Sequence, residues 1–285
     1  MNDSFFPKKD HWGDPIIENA DFFQLPKDIG ELITAYTDLP TDKKEPSKFW
    51  GNIFIGLFEH HCSYIGTQGF AFFRILKSRT NIIKAFELNF KNVTDLLSGS
   101  QHRNINFNYQ NTAYGFEWSY NGKIIADFSN VHYEKDNSTT IDKALSVEYW
   151  INKFAEQQWT SYQLQNLDSM LKDKGYVEFK ILKNDQLVPI VQLNSKYIKF
   201  LDSGNTKIVN KENLKQIFIL KNKLIIEDVF YKQKLIGTKS GNRIEIPLMQ
   251  LSNRLFFLRT LEVLYGYELT KIPLTAPTQK WRFSD

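Results

Sequence analysis

Short segments of alternating apolar and polar residues, divided by turn residues and closed by one amphipathic helical stretch, run along this chain twice. That order confines the fold to the α+β class, with antiparallel sheets and few helices. In the first pass "GFAFFRI" (69–75) and "NIIKAFELNF" (81–90) flank "LKSRT", a polar loop of hairpin length. "HRNINFNYQN" alternates, with Ile105, Phe107 and Tyr109 on one face and Asn104, Asn106 and Asn108 on the other. "YGFEWSY" and "KIIADFS" are two strands around Asn121-Gly122, since a type I′ turn needs positive φ at both central positions. Tyr114, Phe116, Trp118 and Tyr120 share one face of the first arm, which reads as core. "EKDNSTT" (134–140) is a loop.

Residues 143–174 read as helical. Val147, Ile151, Phe154 and Ala155 form one stripe, and Leu164, Leu167 and Leu171 form another about a quarter turn away. Either the helix is buried over a wide arc or it breaks near 157–160. Gly175 is its C-cap glycine. The second pass supplies "YVEFKIL", "LVPIVQL", "KYIKFLD", "NLKQIFIL", "KLIIEDVFY" and "RIEIPL". Leu248, Leu251, Leu255, Leu258 and Leu261 then step by three or four towards Gly266, as a helix requires. The repeat is one of architecture, since few identities align.

Before the first strands lies a leader, residues 1–48, rich in Pro, Asp and Lys, with a short helix expected over Lys27–Tyr36. The expected division is leader at 1–48, a first domain with its long helix at 49–175, a second at 176–270 and a tail at 271–285. One cysteine excludes an intrachain disulfide and any multi-thiolate zinc site, which fits a reducing compartment. The most apolar early stretch, "FWGNIFIGLF", is ten residues long against the roughly 20 that a membrane span needs. The first residues lack the basic-then-apolar order of a signal peptide. The expectation is therefore a cytoplasmic protein with no transmembrane segment.

Several antiparallel strands closed by one amphipathic helix, from "YIGTQGFAFFRIL" through "KIIADF" to "WINKFAEQQW", resemble tandem bacterial pleckstrin-homology-like domains. So does the stretch from "KYIKFLDS" through "RIEIPL" to "LMQLSNRLFFLRTLEVLYG". The resemblance implies two antiparallel β-barrel-like domains, each plugged by its C-terminal α-helix. It also implies a non-enzymatic binding or scaffold role towards a protein partner or an acidic surface such as anionic lipid. In such domains the first hairpin loop often holds an anionic group. Here that hairpin carries Arg74, Lys77, Arg79 and Lys84, and cations around a short turn can converge on phosphate oxygens.

Other chemistries find no matching arrangement of residues. "EHHC" (59–62) sets four potential metal ligands in a row, but in a strand His60 and Cys62 share a face while Glu59 and His61 take the other. Neither H-E-x-x-H nor C-x-x-C is present, so no metal and no cofactor is expected. "SGSQHR" (98–103) reads as a serine-bearing loop near His102 and not as a nucleophile setting. "GTKSGN" (237–242) reads as a turn, not a phosphate loop. Glu227 and Asp228 are adjacent in a strand and diverge, whereas acid–base catalysis needs convergent groups. No catalytic residue is assigned. Residues 181–285 carry 17 basic and 9 acidic side chains, which leaves a nucleic-acid partner as an alternative. The other alternative is an enzyme whose site is assembled from residues distant in sequence.

Overall fold

The structure, a computed structural model, describes residues 27–37, 59–76, 82–106, 109–135, 147–202, 204–232 and 241–270. The remainder of the leader, residues 136–146 and the tail lie outside the described residues, and Glu134 and Lys135, expected in a loop, belong to a strand that ends at Lys135. The chain is α+β, and its strands pair antiparallel. Strands β1 (Leu32–Thr37), β2 (Glu59–Gly66), β3 (Gly69–Leu76) and β4 (Ile82–Asn89) form one four-stranded meander. A 3-10 turn at Phe90–Asn92 follows. Strands β5 (Asp95–Asn106), β6 (Tyr109–Tyr120) and β7 (Lys123–Lys135) form a three-stranded meander, followed by helix α1 (Val147–Gln165). After helix α2 (Leu167–Lys174) the order recurs. Strands β8 (Val177–Lys183), β9 (Gln186–Leu193), β10 (Tyr197–Asp202) and β11 (Asn205–Asn210) form a four-stranded meander. A 3-10 turn at Lys211–Asn213 leads to β12 (Leu214–Leu220), β13 (Lys223–Asp228) and β14 (Arg243–Pro247), and then to helix α3 (Arg254–Tyr265).

Among the described residues no sheet closes into a barrel: each strand order ends in two edges. The barrel-like domains that were expected are therefore built of open sheets, none of which closes on itself. The physical reason is that the 3-10 turn at Lys211–Asn213 takes the backbone out of the extended conformation, so the ladder stops at β11 and starts again at β12.

Two compact units emerge, one made of 1–93 with 137–162, the other of 94–136 with 163–285. The first holds the β1–β4 sheet and most of α1. The segment Lys27–Tyr36, expected as a helix, is a 3-10 turn (Lys27–Ile29) followed by β1. Gly30 at φ +74° ends the turn, and the β-branched Ile33, Thr34 and Thr37 suit a strand. This part of the leader is stapled onto the β2–β3 turn. Gln68 N–H donates to the Ile29 carbonyl at 2.8 Å, and Thr67 N–H to the Glu31 carbonyl at 2.9 Å. A Cβ at Gly66 would run into the Ile29 carbonyl, so only glycine permits that approach. Phe70, Phe90, Ala155 and Trp159 are buried in this unit, and the Phe90 ring lies 6.1 Å from Tyr162 of α1.

In the second unit the helix break falls at Asn166, between α1 and α2, and not at 157–160. Gly175 ends α2 in the left-handed region at φ +76°. The hairpin turn at Asn121-Gly122 has φ of 49° and 79°, as the type I′ turn demands. Phe116 and Trp118 are buried in the core, whereas Tyr120 at the end of that face is exposed. Leu248 and Leu251 are buried but precede α3, so the leucine pattern spans a turn and a helix. On the inner side of α3, Phe256 and Phe257 pack on Phe179 of β8 with ring centroids 5.5 and 5.0 Å apart. At its end, Tyr265 Oη donates to the Asn194 carbonyl and Lys211 Nζ to the Leu264 carbonyl.

Candidate functional site

The β3–β4 hairpin holds the four cations singled out in the sequence. Arg74 lies in β3 and Lys84 in β4, and the two are register partners. Lys77 and Arg79 lie outside the described residues. The ladder shifts between Arg74 and Ile75, since Ile75 pairs with Ile82 and leaves Ile83 as an extra residue. Such a bulge twists the strand and re-aims the positions beside it. Gly69 begins β3 because a Cβ there would collide with the Leu88 carbonyl on β4.

Glu59, His60, His61 and Cys62 lie in β2, so successive residues alternate between the sheet's faces. Among the described residues no group of three or more His, Cys, Asp or Glu side chains gathers as a metal site would require. Ser98 and Ser100 are in β5 rather than in a loop, and Ser98 is buried. The strand assignment was hidden because Ser, Gly and Gln have low strand preference, and only pairing with β6 extends the sheet through them. Gly237–Ser240 lie outside the described residues.

Two polar clusters escaped the sequence reading. In the first, Asp95, at 1% exposure, accepts from Lys180 Nζ at 3.0 Å and from Ser252 Oγ at 3.2 Å. Beside it, Asn253 accepts the Leu96 N–H through Oδ1 at 2.7 Å and donates through Nδ2 to the Thr94 carbonyl at 3.0 Å. Its own N–H donates to the Leu96 carbonyl. Ser252 N–H donates to the Lys180 carbonyl, and Leu182 N–H to the Gln250 carbonyl. The 250–253 segment thus completes the backbone bonds of both β5 and β8, where exposed strand edges would otherwise remain. The partners are 85 and 157 residues apart in the chain, so no local spacing announces them.

In the second cluster Glu227 accepts from Arg243 at 2.9 Å and from Gln216 at 2.6 Å. Glu245 accepts from Arg243 at 3.0 Å and Lys223 at 3.1 Å. The Lys223 hydrogen bond, assisted by Arg243, holds the Glu245 carboxyl below its ordinary range against the cost of desolvation. Asp228 turns away, accepting from the backbone N–H groups of Phe230 and Asn242. Glu227 and Asp228 therefore diverge, as adjacent strand residues do. Each carboxylate here is engaged in holding strands together.

Among the described residues no helix is long and apolar enough to cross a membrane. No protein-family model matches the chain, and no curated protein matches it either.

Proposed function

We propose that this chain is a non-enzymatic binding or scaffold protein of two pleckstrin-homology-like repeats that recognises an acidic surface or a protein partner. The observation that carries this reading is the recurrence of one order: a four-stranded meander, a 3-10 turn, a three-stranded meander and an amphipathic helix. The second repeat also supports a curled arrangement of its two sheets. Asn242 Nδ2 donates to the Ile208 carbonyl and Lys207 Nζ to the Arg243 carbonyl, which links β11 to β14 by side chains. The segment after β14 returns to β8 through the Ile181–Leu251 bridge. The buried carboxylates Asp95, Glu227 and Asp228 each hold backbone or partner strands, which favours a structural use over a chemical one.

The anionic group would be held at the β3–β4 hairpin. Arg74 and Lys84 are register partners near the end of the β3–β4 ladder that leads to the intervening sequence. Lys77 and Arg79 belong to the intervening sequence. Co-sedimentation of the intact chain with anionic vesicles tests the site. The double charge reversal Lys77→Glu, Arg79→Glu is expected to weaken binding by about tenfold or more, since each lysine or arginine near such a surface contributes about 1 kcal/mol. Unchanged binding by that variant removes the hairpin from the reading.

A further inference from the structure

Among the described residues Ile208, Leu220 and Val263 are large apolar residues exposed singly, which is ordinary on a surface, and Leu32 and Ile33 are exposed together at the start of β1, directly after the acidic Glu31. Two further places combine neighbouring exposed apolar residues with lysine. At the β6–β7 turn Tyr120 is 45% exposed, Ile124 45% and Ile125 38%. After β13, on the way to β14, Val229 is 50% exposed and Phe230 58%. These are corresponding positions in the two repeats, since each connects the second and third strands of a three-stranded sheet. The β6–β7 ladder shifts beside the turn: Ser119 pairs with Ile124 and Trp118 with Ala126, so Ile125 is an extra residue. The bulge explains how two consecutive isoleucines both stay exposed, where regular alternation would send one of them inward. Each place also carries an exposed lysine, Lys123 and Lys232. Neither Tyr120–Ala126 nor Val229–Lys232 contains a carboxylate.

We infer that the β6–β7 turn and the Val229–Lys232 segment dip into the interface of an anionic lipid bilayer. The combination of residues decides between a membrane and a protein partner. Lysine is depleted from the buried centre of protein interfaces. At a bilayer surface its stem lies along apolar groups while its ammonium reaches lipid phosphate, and tyrosine favours the same depth. The β6–β7 turn is also open at its centre: a Cβ placed on Gly122 meets nothing within 4 Å. Peripheral attachment then scales with the apolar area inserted together with attraction to anionic head groups. The inference rests on the acidic-surface reading above and adds an apolar contribution on different residues.

The test is co-sedimentation of the full chain with vesicles of phosphatidylcholine, with and without phosphatidylserine. The wild type is expected to partition onto the anionic vesicles. The triple variant Ile124→Ser, Ile125→Ser, Phe230→Ser is expected to bind about tenfold more weakly or worse, given the apolar area removed. In a second variant, Ile124→Trp, emission is expected to shift to the blue on adding anionic vesicles, a readout that does not depend on the triple variant folding. Undiminished binding by a folded triple variant, absence of the shift, or no wild-type binding to either vesicle each overturns the proposal. If the triple variant binds normally while Lys77→Glu, Arg79→Glu does not, the two apolar segments fail and the hairpin stands. The opposite pattern removes the hairpin and keeps the two segments.

Discussion

Asn253 combines several roles that no neighbouring residue predicts. It sits at φ 56°, ψ 34°, in the left-handed region, immediately before α3. Its carbonyl accepts the Phe257 N–H at 2.8 Å as the helix begins, while its side chain bonds Leu96 and Thr94. Asparagine tolerates this backbone better than other residues with a Cβ because its short polar side chain offsets part of the strain. Asn253→Ala removes both side-chain bonds, leaves the buried Leu96 N–H without that acceptor and keeps the strain. It is expected to cost about 3 kcal/mol, measured by urea unfolding. Asn253→Gly relieves the strain and is expected to be less damaging by about 1 kcal/mol. Equal losses in the two variants would show that the backbone conformation contributes nothing. At this scale the sequence exposed what local geometry dictates, such as Asn121-Gly122 and Gly175. It concealed Lys221-Asn222, whose φ values of 48° and 61° make the same kind of turn with a lysine in the first position.

Elements were legible where one side of a periodic pattern faced the core. The strands of the second repeat follow the expected segments with two exceptions: β11, "NTKIVN", whose polar ends hide an edge strand paired along its length with β10, and β13, which ends at Asp228 although "KLIIEDVFY" was expected to run on to Tyr231. Helix α3 follows from the leucine spacing, although its first turn starts later than that spacing suggests. Its C-terminal end depends on a carboxylate. Glu262 Oε1 accepts the N–H groups of Leu269 and Thr270 at 2.8 and 2.7 Å, and Oε2 accepts from Arg259 at 2.8 Å. Burial pushes this carboxyl up, but the bonds from Thr270 and Arg259 outweigh burial and hold it below its ordinary value of 4.5. A carboxyl with a depressed folded-state value contributes stability above its unfolded value, and that contribution is lost as pH falls through the folded one. Acid unfolding followed by circular dichroism is therefore expected to be steeper below pH 4.5 for the wild type than for Glu262→Gln. Superimposable acid limbs would remove Glu262 from the pH dependence.

For the whole molecule, the compact units are not consecutive stretches of chain: the path leaves the first at 93, returns at 137 and leaves again at 162. Within the second unit, β5 supplies Asp95 to Lys180 and the backbone of Leu96 and Thr94 to Asn253. An excised fragment of residues 176–270 keeps β8–β14 and α3 but loses these partners. It is expected to unfold at a clearly lower urea midpoint than the intact chain, because Lys180 and Asn253 would lose their buried bonds. A fragment matching the stability of the intact protein would show that β5 is dispensable to that unit.

By itself the sequence determined the α+β class, the twofold order of strands and helix, most strand positions and the glycine-dependent turns. Each of these is governed by neighbours within a few residues, through side-chain periodicity and backbone sterics. Tertiary structure alone decided that the sheets stay open, that Leu32–Thr37 is a strand rather than part of a helix, and that Asp95 meets Lys180 and Ser252. Those outcomes depend on hydrogen bonds between residues far apart along the chain, and a linear pattern carries no record of which distant partner will satisfy a given strand edge or buried carboxylate.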